Sequence, residues 1–101
     1  MQIHITQLIY IKRGEEATFH QFENIAIPII AKYNGELLLR VRPSIDCFIE
    51  NNIEQPYEIH LVEFASDNDF RNFMADEERK RFLHLKEQSI KSVLLIKGSI
   101  I

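Results

Sequence analysis

Two different hydrophobic periods open the chain. Isoleucines at positions 3, 5, 9 and 11 fall on one face of the segment Ile3 to Ile11, and this period of two predicts a first strand with one buried face. From about Glu15 the apolar side chains recur every three or four residues, as in an amphipathic helix. Those positions are Phe19, Phe22, Ala26, Ile29, Ile30 and Tyr33. Pro28 removes one hydrogen bond of this helix, so we expect a kink there.

The next segments predict two more strands. Asn34-Gly35 ends the first helix, because both residues tolerate the left-handed conformation. A second strand follows over Glu36 to Arg42, and it is expected to resume over Ile45 to Glu50 after the interruption by Pro43. Ile59 to Phe64 mixes β-branched, aromatic and charged side chains and predicts a third strand.

A capped helix and a last strand complete the pattern. Ser66, with Asp69 three positions later, approximates a capping box and begins a second helix that runs from Asp67 to about Lys86. The segment Ala75-Asp76-Glu77 is a point where this helix can divide into two. Ser92 to Lys97 predicts a fourth strand that ends at Gly98.

The predicted order is β-α-β-β-α-β. Right-handed crossovers then give an α+β, ferredoxin-like fold: a four-stranded antiparallel sheet with both helices on one face. We expect residues 1–101 to form a single domain, since a chain of 101 residues has the size of one small domain.

One face of the predicted sheet is left without helices. Phe64 packs under the helix that follows it, so alternation assigns His60 and Val62 to the helix side, together with Leu37, Leu39 and Val41. The open face then carries the remaining strand residues. They are His4, Thr6, Leu8, Tyr10, Leu38, Arg40, Arg42, Ile59, Leu61 and Glu63. This mixed, partly apolar surface predicts burial against a second copy of the chain, with a barrel between the two sheets.

Composition narrows the function classes. The apolar fraction of 46% with 27% charged residues is typical of a folded protein. The net charge of −3, with acids and bases interspersed, argues against nucleic acid as a partner. No apolar run is long enough for a membrane span and no targeting segment is recognisable, so we expect a cytoplasmic protein with no membrane partner.

Several short motifs are spread over nearly the whole chain. They are Lys32-Tyr33-Asn34-Gly35, Leu38-Leu39-Arg40, Glu63-Phe64-Ala65-Ser66, and Phe70, Phe73, Asp76 and Phe82. Together they resemble the uncharacterised small-domain families of the dimeric α/β-barrel superfamily, relatives of the antibiotic-biosynthesis monooxygenases. The resemblance implies a homodimer with a small ligand pocket either between the sheet and the second helix or inside the barrel.

Candidate site residues follow from the predicted open face. Arg40 and Glu63 are expected on adjacent strands of this face, where they could orient a ligand or form a structural ion pair. Tyr10 and His4 could donate and accept a proton in the same cavity, or could simply pack there. These four residues are the predicted ligand-binding set.

The sequence gives no strong support to a metal site, to a reactive cysteine or to a functional role for its run of charged residues. The four histidines lack the spacing of a helical ligand pair, and His84 with Glu87 is more typical of a solvated face, so we predict no metal site. Cys47, the only cysteine, is expected to be a buried, inert thiol. The charge run Asp76 to Arg81 is expected to be a solvated face or a partner surface.

The haem-degrading and quinone-forming members of the superfamily offer an enzymatic hypothesis. The resemblance implies an Asn, a Trp and a His as their functional residues, for which the nearest matches here are Gln7, Phe73 and His84. Two of the three differ and the chain has no tryptophan, so Tyr10 and His84 are only weak catalytic candidates, and no cofactor, haem included, is predicted.

The function expected from sequence is therefore binding of a small, partly apolar organic ligand by a homodimer. A cofactor-independent, monooxygenase-like enzyme and a non-catalytic structural or interaction dimer are the alternatives. Whether the protein is an enzyme is left open by the sequence.

Overall fold

The structure is a computed structural model that describes residues 2–101. Within these residues, four strands and four α-helices follow one another. In order they are β1 Ile3–Ile11, α1 Glu16–Ile29, β2 Gly35–Val41, β3 Glu58–Phe64, α2 Asp67–Met74, α3 Glu77–Arg81, α4 Leu83–Ser89 and β4 Ile90–Gly98. Short 3₁₀ segments lie at Ile30–Tyr33 and Ile45–Cys47.

The strands form one antiparallel sheet in the order β2-β3-β1-β4. Helices cover one face of this sheet, and the fold is ferredoxin-like, as the sequence predicts. None of the helices within residues 2–101 is both long and apolar enough to cross a lipid bilayer.

The end of the first helix follows the predicted signals. The α-helix gives way to a 3₁₀ segment just after Pro28, and Asn34 then adopts the left-handed conformation with φ of 56°. Gly35 is required for a different reason. A Cβ atom there would lie 2.7 Å from side-chain atoms of both Ile30 and Phe64. The absence of a side chain therefore lets the start of β2 pass close to the core.

The predicted second helix is divided into three. The Ser66 hydroxyl caps α2 by accepting a hydrogen bond from the Asp69 amide at 3.1 Å. The Asp76 carboxylate caps α3 by accepting from the Arg79 amide at 2.9 Å, which confirms the predicted break at Ala75-Asp76-Glu77. A further break at Phe82 separates α4 from α3 and was not predicted.

Two local predictions between β2 and β3 are wrong. The second strand does not resume after Pro43, because Ile45–Cys47 forms a 3₁₀ turn. Cys47 is exposed rather than buried. This loop therefore leaves the sheet, and its apolar side chains, Ile45, Ile49 and Ile53, are largely exposed.

A bulge in β2 overturns the predicted faces of that strand. Leu37 pairs with Val62 on the helix side, but the register then shifts, so that Leu39 pairs with Leu61 and Arg40 with His60. Since one extra residue moves every later side chain to the other face, Leu39 and Val41 lie on the open face. Arg40 and Arg42 lie on the helix side instead. The predicted same-face pairing of Arg40 with Glu63 is therefore wrong.

The core lies between sheet and helices in two clusters. One contains Ile5, Ile30, Val62 and Phe64, with Phe70 and Phe73 packed against it. The other contains Phe22, Ala26 and Leu85. Residues of both clusters line the cavity described below.

We expect Gly35→Ala to lower the free energy of unfolding by about 1–3 kcal/mol, because the new methyl group would overpack Ile30 and Phe64. Gly98→Ala is the matched control, since a Cβ atom at Gly98 would meet nothing within 4 Å. Urea denaturation of both variants and the wild type measures the difference. Equal midpoints for the two variants would show that Gly35 is not required by packing.

Candidate functional site

A cavity of about 280 Å³ lies between the helix side of the sheet and the helices. Most of its wall is apolar, including Ile5, Phe22, Val62, Phe64 and Phe73. Five polar side chains also line it: Gln7, Glu23, His60, Arg79 and Lys86. The cavity therefore combines an apolar body with a small set of polar groups, as small-molecule sites do.

Strand β3 positions both polar and apolar side chains on the helix side of the sheet. Its helix-side residues Glu58, His60, Val62 and Phe64 are all buried. Side chains on one face of a strand lie two residues apart. The polar pair, Glu58 and His60, therefore occupies the first half of β3, and the apolar pair, Val62 and Phe64, occupies the second half. The polar end of the cavity is thus built on the first half of β3.

Glu58 is the anchor of this polar end and is 1% exposed. Arg40 Nε donates to its Oε1 at 2.9 Å, Arg42 Nε donates to its Oε2 at 3.1 Å, and His60 Nε2 donates to Oε1 at 2.8 Å. Burial raises the pKa of Glu58, but the hydrogen bonds from Arg40, His60 and Arg42 outweigh it and hold the pKa at about 2. Glu58 is therefore ionised at neutral pH.

This anchor fixes the protonation of His60. Burial lowers the pKa of His60, in opposition to its hydrogen bond with Glu58, so the ring is neutral at pH 7. An ionised Glu58 accepts only, which requires the proton of the neutral ring to be on Nε2. His60 Nδ1 therefore carries a lone pair, and it lies 3.9 Å from Oε2 of Glu23.

Glu23 is a buried carboxyl group on α1. Burial raises its pKa from 4.5 to about 7, and the nearby charges of Arg40, Arg79 and Lys86 only partly oppose this shift, while Glu58 adds to it. At neutral pH the Glu23 carboxyl is therefore divided between its protonated and ionised forms. A carboxyl group in this range can give or take a proton.

Two cations complete the polar wall. Arg79 is 7% exposed; its Nη1 donates to the carbonyl oxygen of Met74 at 3.3 Å, and its guanidinium lies 5.2 Å from the ring centre of Phe73. Its Nε has no hydrogen-bond partner within residues 2–101. Burial lowers the pKa of both Arg79 and Lys86. Arg79 thus presents an unused donor beside the cavity.

The predicted ligand-binding residues do not form one group. His4 and Glu63 lie together on the open face, with His4 Nε2 3.3 Å from Glu63 Oε1. Arg40 lies on the other face, bound to Glu58. Tyr10 is buried and borders a second depression, which is formed with Pro43 and Pro56 of the long loop. The structure therefore pairs two of the four residues and separates the other two from them.

The residues matched to the haem-degrading and quinone-forming enzymes are also divided. Gln7 and Phe73 both line the cavity. His84 is exposed on α4, 6.2 Å from Phe82 between ring centres, and does not line the cavity. Within residues 2–101 there is no group of three metal-ligating side chains close enough to hold an ion.

Sequence reasoning missed Glu23, Glu58, Arg79 and Lys86 as site residues, and it considered His60 only for strand faces and as one of four histidines without metal-ligand spacing. Glu58 and His60 are in phase with Val62 and Phe64, which was a usable signal of burial. Glu23 adjoins Phe22 in the apolar stripe of α1. The charge run is not a uniformly solvated face, because Asp76 and Arg79 are buried within it.

No protein-family model and no curated protein matches the chain. Solved structures do resemble it. A protein of unknown function from Rhodopseudomonas palustris superposes with a TM-score of 0.84 at 12% identity, over 99% of this chain and 82% of that one. A DABB family protein with a ferredoxin-like fold from Mesorhizobium loti gives a TM-score of 0.71 at 14% identity, over 99% and 97% of the two chains.

A NIPSNAP family protein with unknown function from Agrobacterium tumefaciens is also similar, with a TM-score of 0.68 at 21% identity over 96% of this chain and 85% of that one. At identities this low the likeness concerns the fold. It supports the ferredoxin-like architecture and leaves the cavity residues to be argued from their own chemistry.

The raised pKa of Glu23 predicts a defined pH dependence of stability. The protonated carboxyl is favoured in the folded state, so the free energy of unfolding falls as pH rises from 4.5 to about 7. Glu23→Gln keeps the shape and cannot ionise. We expect it to match the wild type near pH 4 and to exceed it by up to about 3 kcal/mol above pH 7, because each pKa unit corresponds to about 1.4 kcal/mol.

Urea denaturation between pH 4 and pH 8 measures this difference. Glu50→Gln, at an exposed loop position, is the control and should leave the profile unchanged. A constant offset between Glu23→Gln and the wild type at every pH would contradict the raised pKa.

Proposed function

We propose that the protein binds a small, largely apolar organic molecule with an acidic group in the cavity between the sheet and the helices, and that it does so as a homodimer. The observation that carries the proposal is the buried Arg79 guanidinium beside an apolar cavity, with a donor that has no partner within residues 2–101. A ligand oxygen that accepts from this guanidinium would offset the cost of burying the cation.

The size and lining of the cavity support a small ligand. Its volume of about 280 Å³ lies near the lower end of the range of small-molecule sites, roughly 300–1,000 Å³. The aromatic rings of Phe22, Phe64 and Phe73 favour a flat or aliphatic body. The polar groups lie together, so they can fix the orientation of the ligand.

Charge supports an acidic ligand. Arg79 and Lys86 bring two cations to the wall, whereas Glu23 is only partly ionised at neutral pH. A buried cation without a full set of acceptors costs free energy. A carboxylate or phenolate in the cavity would offset that cost by accepting from Arg79, since charge-assisted hydrogen bonds are the stronger kind.

The open face supports association with a second copy. Leu39, Leu94 and Ile96 are each about half exposed, although they lie on a regular sheet. Ile59, Leu61 and Leu8 lie between them in the sheet register. An apolar sheet face of this kind is usually covered, and a two-fold axis allows the same face to cover itself. A relation to the antibiotic-biosynthesis monooxygenases is a finer proposal, which the exposed position of His84 does not favour.

We expect Arg79→Met to abolish the preference of the protein for an acidic ligand. Benzoate should raise the melting temperature of the wild type more than the neutral benzamide does, because only benzoate forms a charged pair with Arg79. In Arg79→Met the two compounds should have equal effects. Arg81→Met, at an exposed position of the same helix α3, is the control. Retention of the benzoate preference by Arg79→Met would contradict the proposed site.

We expect Leu94→Lys to convert a dimer into a monomer, because it places a charge on the open face. Ile49→Lys is the control, because Ile49 is an apolar residue of the exposed loop between β2 and β3 and lies outside the sheet. Size-exclusion chromatography with light scattering measures the mass of each variant. A monomeric wild type, or dissociation by Ile49→Lys alone, would refute a dimer formed through the open face.

A further inference from the structure

Glu23 has a feature that ligand binding alone does not use. It is 6% exposed and lines an otherwise largely apolar cavity, yet its side chain makes no hydrogen bond within residues 2–101. The nearest titratable side chain is that of the neutral His60, whose Nδ1 lies 3.9 Å from Glu23 Oε2. The carboxyl group is therefore desolvated and free to meet a ligand.

The charged and titratable groups near Glu23 come from several elements packed around it. Strand β3 contributes Glu58 and His60, strand β2 contributes Arg40, helix α3 contributes Arg79 and helix α4 contributes Lys86. Glu58 and His60 are already committed to each other through a 2.8 Å hydrogen bond. Arg40 is committed to Glu58. Arg79 and Lys86 are the cations that share the cavity wall with Glu23.

We propose that Glu23 is a general base that removes a proton from a carbon atom of the bound molecule, next to a carbonyl or similar acceptor group, while Arg79 stabilises the negative charge that develops on the acceptor oxygen. This proposal rests on the proposed ligand-binding function of the cavity. It adds an activity, proton transfer at carbon, and a substrate class, small apolar carbon acids.

The step balances without a further reactant. The C–H bond breaks and its proton goes to a carboxylate oxygen of Glu23. The electron pair of that bond forms a C=C bond, and the carbonyl π pair moves to oxygen to give an enolate. In a ligand with a C=C bond between the β and γ carbons, the enolate is a dienolate. The oxygen electron pair re-forms the C=O bond, the double bond shifts to the α and β carbons, and the γ carbon takes the proton back from Glu23, which regenerates the carboxylate and completes an isomerisation.

The geometry favours Glu23 over His60 as the base. His60 is held by Glu58 through Nε2, and its Nδ1 points towards Glu23 rather than being isolated in the cavity. A carboxylate in an apolar site has lost the water that would weaken it as a base. Its pKa of about 7 means that a substantial fraction is ionised at neutral pH. His60 is a positioning residue in this scheme.

The elimination reaction of 5-nitrobenzisoxazole tests the base directly. A base removes the single C–H proton of its isoxazole ring, the electron pair forms the nitrile, the N–O bond breaks, and the charge appears on the phenolate oxygen. The coloured phenolate reports the rate. We expect the wild type to accelerate the reaction over buffer, with a rate that rises with pH and levels off above about pH 7. Glu23→Gln should lower this rate by about a hundredfold and remove the pH dependence.

Three control variants and a separate measurement of binding distinguish the possible outcomes. Glu50→Gln, in the exposed loop, should react like the wild type. Ala26→Leu fills part of the cavity and should slow the reaction, whereas Ala17→Leu, exposed on the same helix α1, should not. Saturation-transfer NMR measures binding of the same compound to the wild type and to Glu23→Gln, independently of turnover.

If the wild type and Glu23→Gln both bind the compound and catalyse its elimination at equal rates, the role of Glu23 as a base is overturned and the binding function is retained. A rate lost in His60→Gln but kept in Glu23→Gln would also overturn it, because His60 would then be the base. Absence of binding of this neutral compound to the wild type would overturn the base proposal, whereas the binding function is decided separately by the comparison of benzoate with benzamide. Binding to both, with a rate that depends on Glu23, supports the proposal.

Discussion

The buried carboxylate of Glu58 is the constraint on which the rest of the structure depends. An ionised carboxylate inside a protein is tolerated only when strong donors surround it, and Glu58 has three: the charged Arg40 and Arg42 and the neutral ring of His60. Both arginines reach it because the bulge in β2 turns them to the helix side. Without the bulge Glu58 would keep only its hydrogen bond from His60, so the irregularity in β2 supplies the two positive charges that hold Glu58 ionised.

The same strand determines how the cavity is divided. Glu58 orients His60 at one end of β3, and Phe64 packs against Gly35 and the aromatic residues of α2 at the other. A ligand therefore meets Glu23 and His60 near one half of β3 and the rings of Phe64 and Phe73 near the other, and the Arg79 guanidinium lies 5.2 Å from the ring centre of Phe73. The arrangement follows from strand periodicity and needs no flexible segment to assemble it.

The sequence predicts the helices and strands well because their hydrophobic periods are clear. The prediction of which side chains face the helices fails in β2, where the hydrophobic period is ambiguous. Leu37, Leu38 and Leu39 are three leucines in succession, so an extra residue among them leaves no mark in the hydrophobic pattern. Without the extra residue, strand alternation placed Arg40 on the open face beside Glu63, which is the wrong face. The burial of Glu23 was missed for another reason. Helix α1 has a clear apolar stripe, and a carboxyl group next to such a stripe is ordinarily solvated. Only the packing of α3 and α4 over α1 makes it buried.

The polar end of the cavity costs the isolated protein stability. Glu23 and Arg79 are desolvated in a chain of only 101 residues, and well-packed apolar side chains at such positions often give a more stable fold. A ligand oxygen that accepts from Arg79 would offset part of this cost in the bound state only. Folding and binding are then coupled by mass action, and the groups that weaken the empty domain are the ones that give a small acidic ligand its free energy of binding.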